Sequence, residues 1–329
     1  MTPTVCLVMI VKNESRVIGR CITALRQAVD EAVIVDTGST DNTLEATQAA
    51  WLAGGRGGAL HLYRSDWVDF ATNRTEALRI AADVSECDFL LVIDADEVLA
   101  IPPGARLEFD GSADLYSLRV AYGGLAYTRA CVMRRTVPWY YRWPVHEALM
   151  PPEGWTGESG GVIEGCVVLP TPDGARSADP GKYRRDAEQL SQWVAKYPDD
   201  ARATYYLAQS YRDAGRHNTA RHFYARRALM GGWQEEVFSS LLEAAKCGER
   251  TLTAEPTDRE VSEVLDAYLE AHAARPTRAE ALFHAMRMCL ERGQPALADS
   301  LAPAWRAIPL PVSDVLFVER NAYASGPAT

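Results

Sequence analysis

Three acidic residues stand packed in Asp94-Ala95-Asp96-Glu97, directly after the apolar run Phe89 to Ile93. Like charges this close repel one another, so a purely structural role is costly without a compensating cation. Hard oxygen ligands suit Mg²⁺ or Mn²⁺, ions that also neutralise a diphosphate. A solvated acidic turn is the plainer alternative. Two more polar clusters follow apolar runs: Lys12-Asn13-Glu14 after Val5 to Val11, and the segment from Asp36 to Thr43 after Ala32 to Val35. Glu14 by itself reads as a favourable charge in a first helical turn. Asp41 reads as the cap of the helix beginning near Thr43. Asp36 differs, because it ends a strand just before Gly38 lets the backbone turn, and its carboxylate can accept hydrogen bonds from a nucleobase.

The elements that must position these groups alternate. Strand-like runs at Val5 to Val11, Ala32 to Val35 and Phe89 to Ile93 are interleaved with helical patterns at Val17 to Val29, Thr43 to Leu52 and Ala71 to Ala82. That alternation predicts βαβ units, a mostly parallel sheet and an α/β fold. Polar groups at the carboxyl ends of such strands sit where ligands bind in open sheets. Gly54, Gly55, Gly57 and Gly58 read as a turn before a short strand at Leu60 to Tyr63, since no helix opening with Lys-Ser or Lys-Thr follows. Further strands are expected at Leu115 to Val120 and Val162 to Leu169, with aromatic and proline-rich loops between them. Thr171 to Gly181 reads as the exit from the first domain.

Three segments together resemble glycosyltransferase family 2: Met9-Ile10-Val11-Lys12-Asn13-Glu14, Ile34-Val35-Asp36-Thr37-Gly38-Ser39-Thr40-Asp41-Asn42-Thr43, and Asp94-Ala95-Asp96-Glu97. The resemblance covers roughly the first half of the chain. It implies the GT-A fold, a Rossmann-like nucleotide-sugar domain over residues 1–175, with Mn²⁺ or Mg²⁺ at a DxD motif. It further implies a donor site at Val11, Asn13, Glu14, Asp36, Asn73, Asp94 and Ala95, in which Glu14 and Asp36 contact the nucleoside and Asp94 lies near the ribose or diphosphate. Asp96 would hold the metal. The donor is expected to be a nucleotide sugar, a UDP-sugar, and the transfer inverting. One departure is visible: an Arg commonly precedes the Asn in the pattern matched by Asp69-Phe70-Ala71-Thr72-Asn73, but Thr72 stands there and Arg74 follows.

Val145-His146-Glu147 is similar to a late His in many GT-A enzymes that completes the metal shell; a satisfied loop histidine is the alternative. An inverting transfer needs a base for the acceptor proton. Glu147 is favoured over Glu97, which follows the metal ligand and can support it from behind; pairing of Glu147 with an arginine such as Arg142 is the rival role. Neighbours in an extended loop face opposite ways, so His146 could face the metal and Glu147 the acceptor. Trp139, Tyr140, Tyr141 and Trp143 could stack on a sugar, although such a run is more often core and loop anchor.

Residues 182–329 carry helical periodicity, and Leu207, Ala208, Tyr211, Gly215, Ala220 and Tyr224 fall at the offsets of a tetratricopeptide unit. A weaker echo spans Leu282 to Ala302, keeping Gly293 and Ala298. Leu241 to Ala274 would be a lengthened unit. Such an array suits a peptide, protein or glycan acceptor, or a homo-oligomer contact. At 329 residues the chain exceeds what one core usually fills, and its net charge of −10 argues against nucleic-acid binding. No apolar run is long enough for a membrane span. Seven cysteines without CxxC spacing point to buried thiols in a reducing compartment, the cytoplasm. Two other readings compete. A nucleotidyltransferase would need a basic Gly-rich loop near the start of the chain, which the sequence lacks. A peptide-binding array carrying a degenerate transferase domain is disfavoured by the intact Asp94 and Asp96.

Overall fold

The chain was analysed as a computed structural model that describes residues 2–54, 58–122, 125–176 and 179–323. It divides into two compact units, Met1–Lys182 and Tyr183–Thr329. Residues 55–57 of the glycine-rich turn and 177–178 of the segment leaving the first unit lie outside the described residues.

The first unit is built on an eight-stranded sheet. Four strands run parallel, β1 (Val5–Val11), β2 (Glu31–Asp36), β3 (Leu60–Arg64) and β4 (Phe89–Val92). The helices α1 (Ile18–Leu25), α2 (Thr43–Ala53) and α3 (Phe70–Val84) connect them. Period-two alternation decides which residue meets which layer. Val5, Leu7, Met9 and Val11 of β1 join Ala32 and Ile34 of β2 in one core with Ile18, Ile22 and Leu25 of α1. Cys6, Val8, Val33 and Val35 join Ala77, Leu78 and Ala81 of α3 on the opposite face. Burial on both faces explains why these strands read as continuous apolar runs, and each buried Val, Leu, Ile or Met contributes on the order of 1.5–3 kcal/mol.

Beyond β4 the sheet becomes mixed. It adds β5 (Glu97–Ala100), β6 (Leu115–Tyr122) and β7 (Leu125–Arg134), then β10 (Ser159–Pro170) after a separate hairpin of β8 (Tyr140–Arg142) and β9 (Ala148–Met150). The order is β3-β2-β1-β4-β7-β6-β10-β5, with β7 antiparallel to both β4 and β6. The chain moves outward from β1 in one direction to β2 and β3 and in the other to β4. The carboxyl ends of β1 and β4 therefore flank a topological switch point.

The second unit contains α4 (Lys182–Lys196, its first residue closing the first unit), α5 (Ala201–Asp213), α6 (His217–Leu229), α7 (Gln234–Arg250), α8 (Asp258–Ala274), α9 (Glu280–Glu291) and α10 (Pro295–Arg306). The α5–α6 pair is the tetratricopeptide-like unit. Leu207, Ala208, Ala220 and Tyr224 are fully buried, and Tyr211 stacks on Phe223. Gly215 and Gly293 end α5 and α9 in the left-handed conformation, φ +76° and +70°. Each is followed by the equivalent bond, Arg216 N to Tyr211 O in one and Gln294 N to Cys289 O in the other, both at 2.8 Å, which satisfies a carbonyl of the last turn. The α7–α8 pair is longer, and its second helix opens with a Thr257/Glu260 capping box. All seven cysteines are free and buried. Among the described residues no helix is long and apolar enough to cross a membrane.

Candidate functional site

The loops after β1 and β2 are laced together by short polar side chains. Asn13 adopts the left-handed conformation (φ +58°), which Asn tolerates better than most residues. Its amide donates to Ser39 Oγ at 2.9 Å, and its side-chain oxygen accepts from the Thr40 amide at 2.7 Å. The Glu14 amide donates to Thr43 Oγ1 at 2.8 Å. Asp41 accepts from the Thr43 amide at 3.1 Å and from Ser15 N at 3.2 Å, so it ties the start of α2 to the β1 loop, but the N-cap itself is Asn42, one residue later than expected, and its side chain makes no capping bond. The Val11 side chain lies in the core, while its carbonyl accepts from the Thr37 amide at 2.9 Å.

Asp36, at 2% exposure, accepts from the Ser39 amide at 2.9 Å. Arg64 Nε lies 3.8 Å from its other oxygen. Together with Gly38, Ser39, Ser65 and Asp66 these two residues line a cavity of about 290 Å³ at the ends of β2 and β3. A buried carboxylate beside an exposed guanidinium offers an acceptor and a donor on one wall, the pair that the edge of a nucleobase requires.

The acidic cluster after β4 separates into paired and unpaired carboxylates. Glu97 is buried and receives both terminal nitrogens of Arg129, at 2.8 and 2.6 Å, and the Asp94 amide at 3.0 Å. Asp94 accepts from Arg74 at 2.6 Å. Burial works to raise its carboxyl, but Arg74 and Arg129 outweigh that and hold it below the usual carboxylate range. Asp96 and Glu14 form no ion pair among the described residues. Burial first, then repulsion from Asp94, pushes Asp96 up to about 6. Glu14 is pushed up to about 7 by burial and by repulsion from Asp96, Asp41 and Asp94, against a hydrogen bond from Ala175. The Ala95 side chain packs into the core, leaving only its backbone for a ligand.

Three expectations need correction. Asn73 is fully buried, and its amide group is committed at both ends to the preceding loop, accepting from Val68 N and donating to Asp66 O, each at 2.9 Å. It shapes the loop rather than facing a donor. Arg74, the next residue, faces the site instead, with Nε 2.8 Å from Glu147 Oε1, so the arginine paired with Glu147 is Arg74 and not Arg142. The loop between β8 and β9 is not extended: Trp143 and His146 both take positive φ, +75° and +54°, which removes the alternation that was to face His146 and Glu147 apart. His146 is exposed, and among the described residues no three His, Cys, Asp or Glu side chains converge to hold a metal ion. Of the four aromatics, Trp139 is buried against Trp155 and donates to Arg134 O, and Tyr141 lies beside Arg74; both anchor the fold.

Sequence reasoning missed the strap that crosses this cluster. Arg20 of α1 grips Asp173 through two bonds of 3.0 and 2.9 Å, the Ala175 amide lies 3.2 Å from both Glu14 oxygens, and Arg176 sits over the Phe70 ring. Gly174 rests so near Asp96 that a Cβ there would come within 2.6 Å of Oδ2. The run of Pro, Gly, Asp and Ser in this stretch signalled a loop but gave no sign of where it would lie.

A TPR repeat-containing protein of Synechococcus elongatus is 35% identical over 105 residues, which are 31% of this chain and 23% of that protein, so the match spans less than a quarter of the relative. Among solved structures, a mannosyltransferase from Pyrobaculum calidifontis in complex with GDP-Man and Mn²⁺ aligns over 92% of this chain and 87% of its own (TM-score 0.41, 14% identity). TarS 1–349 of S. aureus aligns over 88% and 92% (0.38, 13%), and MamA over 39% and 69% (0.33, 15%). The sequence model described as glycosyl transferase family 2 matches residues 6–102, the span that runs from β1 through the acidic cluster, and the first unit of this chain therefore carries a domain of that family.

Proposed function

We propose that the chain is a metal-dependent, inverting glycosyltransferase that moves a sugar from a UDP-sugar to an acceptor hydroxyl or thiol, with residues 182–329 serving acceptor recognition or assembly. The observation that carries this reading is the division of the acidic cluster. Asp94 and Glu97 have arginine partners, whereas Asp96 and Glu14 share a half-buried space with raised carboxyls and no ion-pair partner among the described residues. That donor set, all hard oxygen and short of positive charge, fits Mn²⁺ or Mg²⁺.

Asp96 would hold the cation, and His146, exposed on the β8–β9 loop, would add a nitrogen ligand to the oxygen set only by turning toward it. The cation, when bound, supplies neutralisation of the diphosphate as the glycosidic bond breaks. Asp36 accepts from the base in the cavity beside Arg64, which suits the N3–H of uracil flanked by its carbonyls. Arg74 fixes Asp94 and Glu147 in one frame, so the second oxygen of Glu147 is the one that takes the acceptor proton. The acceptor atom bonds to the anomeric carbon, the bond from that carbon to the diphosphate oxygen breaks, and its electron pair leaves with the nucleotide.

The test is turnover of UDP-sugars with Mn²⁺, read as slow donor hydrolysis and as transfer to a supplied acceptor. Asp96→Ala should abolish both. Glu147→Gln should retain donor binding yet lose transfer by roughly a hundredfold or more, as removal of a general base does. Full activity in excess chelator would sink the metal assignment, and wild-type transfer by Glu147→Gln would leave that residue only as the counterion of Arg74.

A further inference from the structure

The second unit holds an extended segment of its own chain against its helices. After α10, residues 312–323 run along α7 and α9, and their main chain is met by side chains. The amides of Val315 and Leu316 both donate to one oxygen of Glu235 at 2.8 Å. The carbonyls of Leu316 and Phe317 accept from Arg278 at 3.3 and 3.2 Å, and the Glu319 amide donates to Glu280 at 3.1 Å. Trp305 donates to the Ala322 carbonyl at 2.6 Å.

The two carboxylates of the segment are seated as well. Asp314 accepts from Arg275 at 2.6 and 2.8 Å and from Arg278 at 3.4 Å. Glu319 accepts from Lys246 of α7 and lies 2.8 Å from His284 Nε2 of α9. The apolar side chains of its first half point the other way: Val312, Val315 and Phe317 are 103%, 78% and 59% exposed. Only the far end, Val318 to Tyr323, packs into a small cluster with Phe283 and Trp305.

A segment belonging to a core would bury its apolar side chains and pair its backbone with a neighbouring strand or helix. The first half of this one leaves Val312, Val315 and Phe317 exposed, and the segment is gripped by its main chain and two acids, the way a protein recognises an extended peptide ligand. Lifting it would leave Arg275, Lys246, His284 and the acceptor Glu235 without those partners, and unpaired buried polar groups demand a substitute of the same chemistry. We propose that the α7–α9 face is a recognition surface for an extended acidic peptide bearing two carboxylates five residues apart, and that residues 312–323 are its resident occupant. The inference is independent of donor chemistry in the first unit.

Two measurements on the full chain test it. In hydrogen exchange, the amides of Val315 to Glu319 should exchange at least about tenfold faster than those of α7 and α9, because the segment opens without unfolding the helices. A labelled synthetic peptide of residues 312–323 should bind the Asp314→Asn/Glu319→Gln chain at least about tenfold more tightly than wild type, whose tethered occupant competes at high effective concentration. The same peptide carrying both substitutions should not bind. Protection of the segment equal to that of α7 and α9, binding that ignores the two carboxylates, absence of peptide binding to the folded double variant, or loss of helicity in that variant would each overturn the proposal and make the segment a fixed part of the fold.

Discussion

Asp96 and Glu14 hold protons in the folded chain that an unfolded chain would already have lost near pH 4. Their carboxyls are raised, so the stability linked to them is fully present below the ordinary carboxyl value and is lost as pH rises through about 6 for Asp96 and about 7 for Glu14. Asp96→Asn should therefore melt with the wild type at about pH 4 and above it by about pH 7, by a few degrees at the scale of roughly 2–4 °C per kcal/mol for a unit of this size. The variant should gain this stability while losing Mn²⁺ affinity, and saturating Mn²⁺ should close the gap from the wild-type side. A melting temperature for Asp96→Asn at or below wild type at neutral pH, in chelator, would show that the Asp96 carboxyl is not under strain. Residue types in this cluster were legible from the chain alone, because three acids after an apolar strand are rare enough to notice. Their partners were not. Successive helical residues turn by about 100°, so a one-residue choice between Asn73 and Arg74 decides which of them faces the loop and which the site.

At the scale of elements, the parallel half was readable and the antiparallel half much less so. β1, β2 and β4 are buried on both faces and write continuous apolar runs. Among the described side chains of β7, Cys131, Val132 and Met133 are buried while Tyr127 is half exposed, and a three-residue run gives too weak a period to register. The strap from Thr171 to Arg176 was equally silent, since its position depends on contacts with α1 and the acidic cluster far away in sequence. In its observed place it lies against Glu14 and Asp96, so under the proposed function a donor diphosphate would have to displace it. Its clamp, Arg20 with Asp173, is about half exposed, and solvent and salt leave such a pair little net strength. Asp173→Ala should accordingly tighten donor binding, by no more than roughly fivefold. Gly174→Ala should act in the same direction, because its Cβ would collide with Asp96 in the closed strap. Donor titration of both variants checks this; weaker binding in both would make the strap a wall of the donor site instead of a cover.

For the whole molecule, the relevant question is which unit a ligand stabilises. The two units have separate cores, one on the faces of the sheet and the other between helix pairs. A ligand that binds only the native form of one unit raises that unit's stability by RT ln(1 + [L]/Kd), about 2.7 kcal/mol at a hundredfold excess over Kd. Spread over the first unit, this is roughly 5–10 °C in melting temperature at about 2–4 °C per kcal/mol. Calorimetry of the intact chain with UDP and Mn²⁺ should thus show two transitions, of which one moves by that amount and the other stays in place. The acidic peptide proposed for the α7–α9 face should do the converse, shifting the helical transition in the Asp314→Asn/Glu319→Gln chain and leaving the sheet transition where it was. A single transition that moves as a whole with either ligand would mean that the units unfold together. Donor binding and peptide binding would then be coupled through one cooperative structure, and the division of labour drawn between the two units would fail.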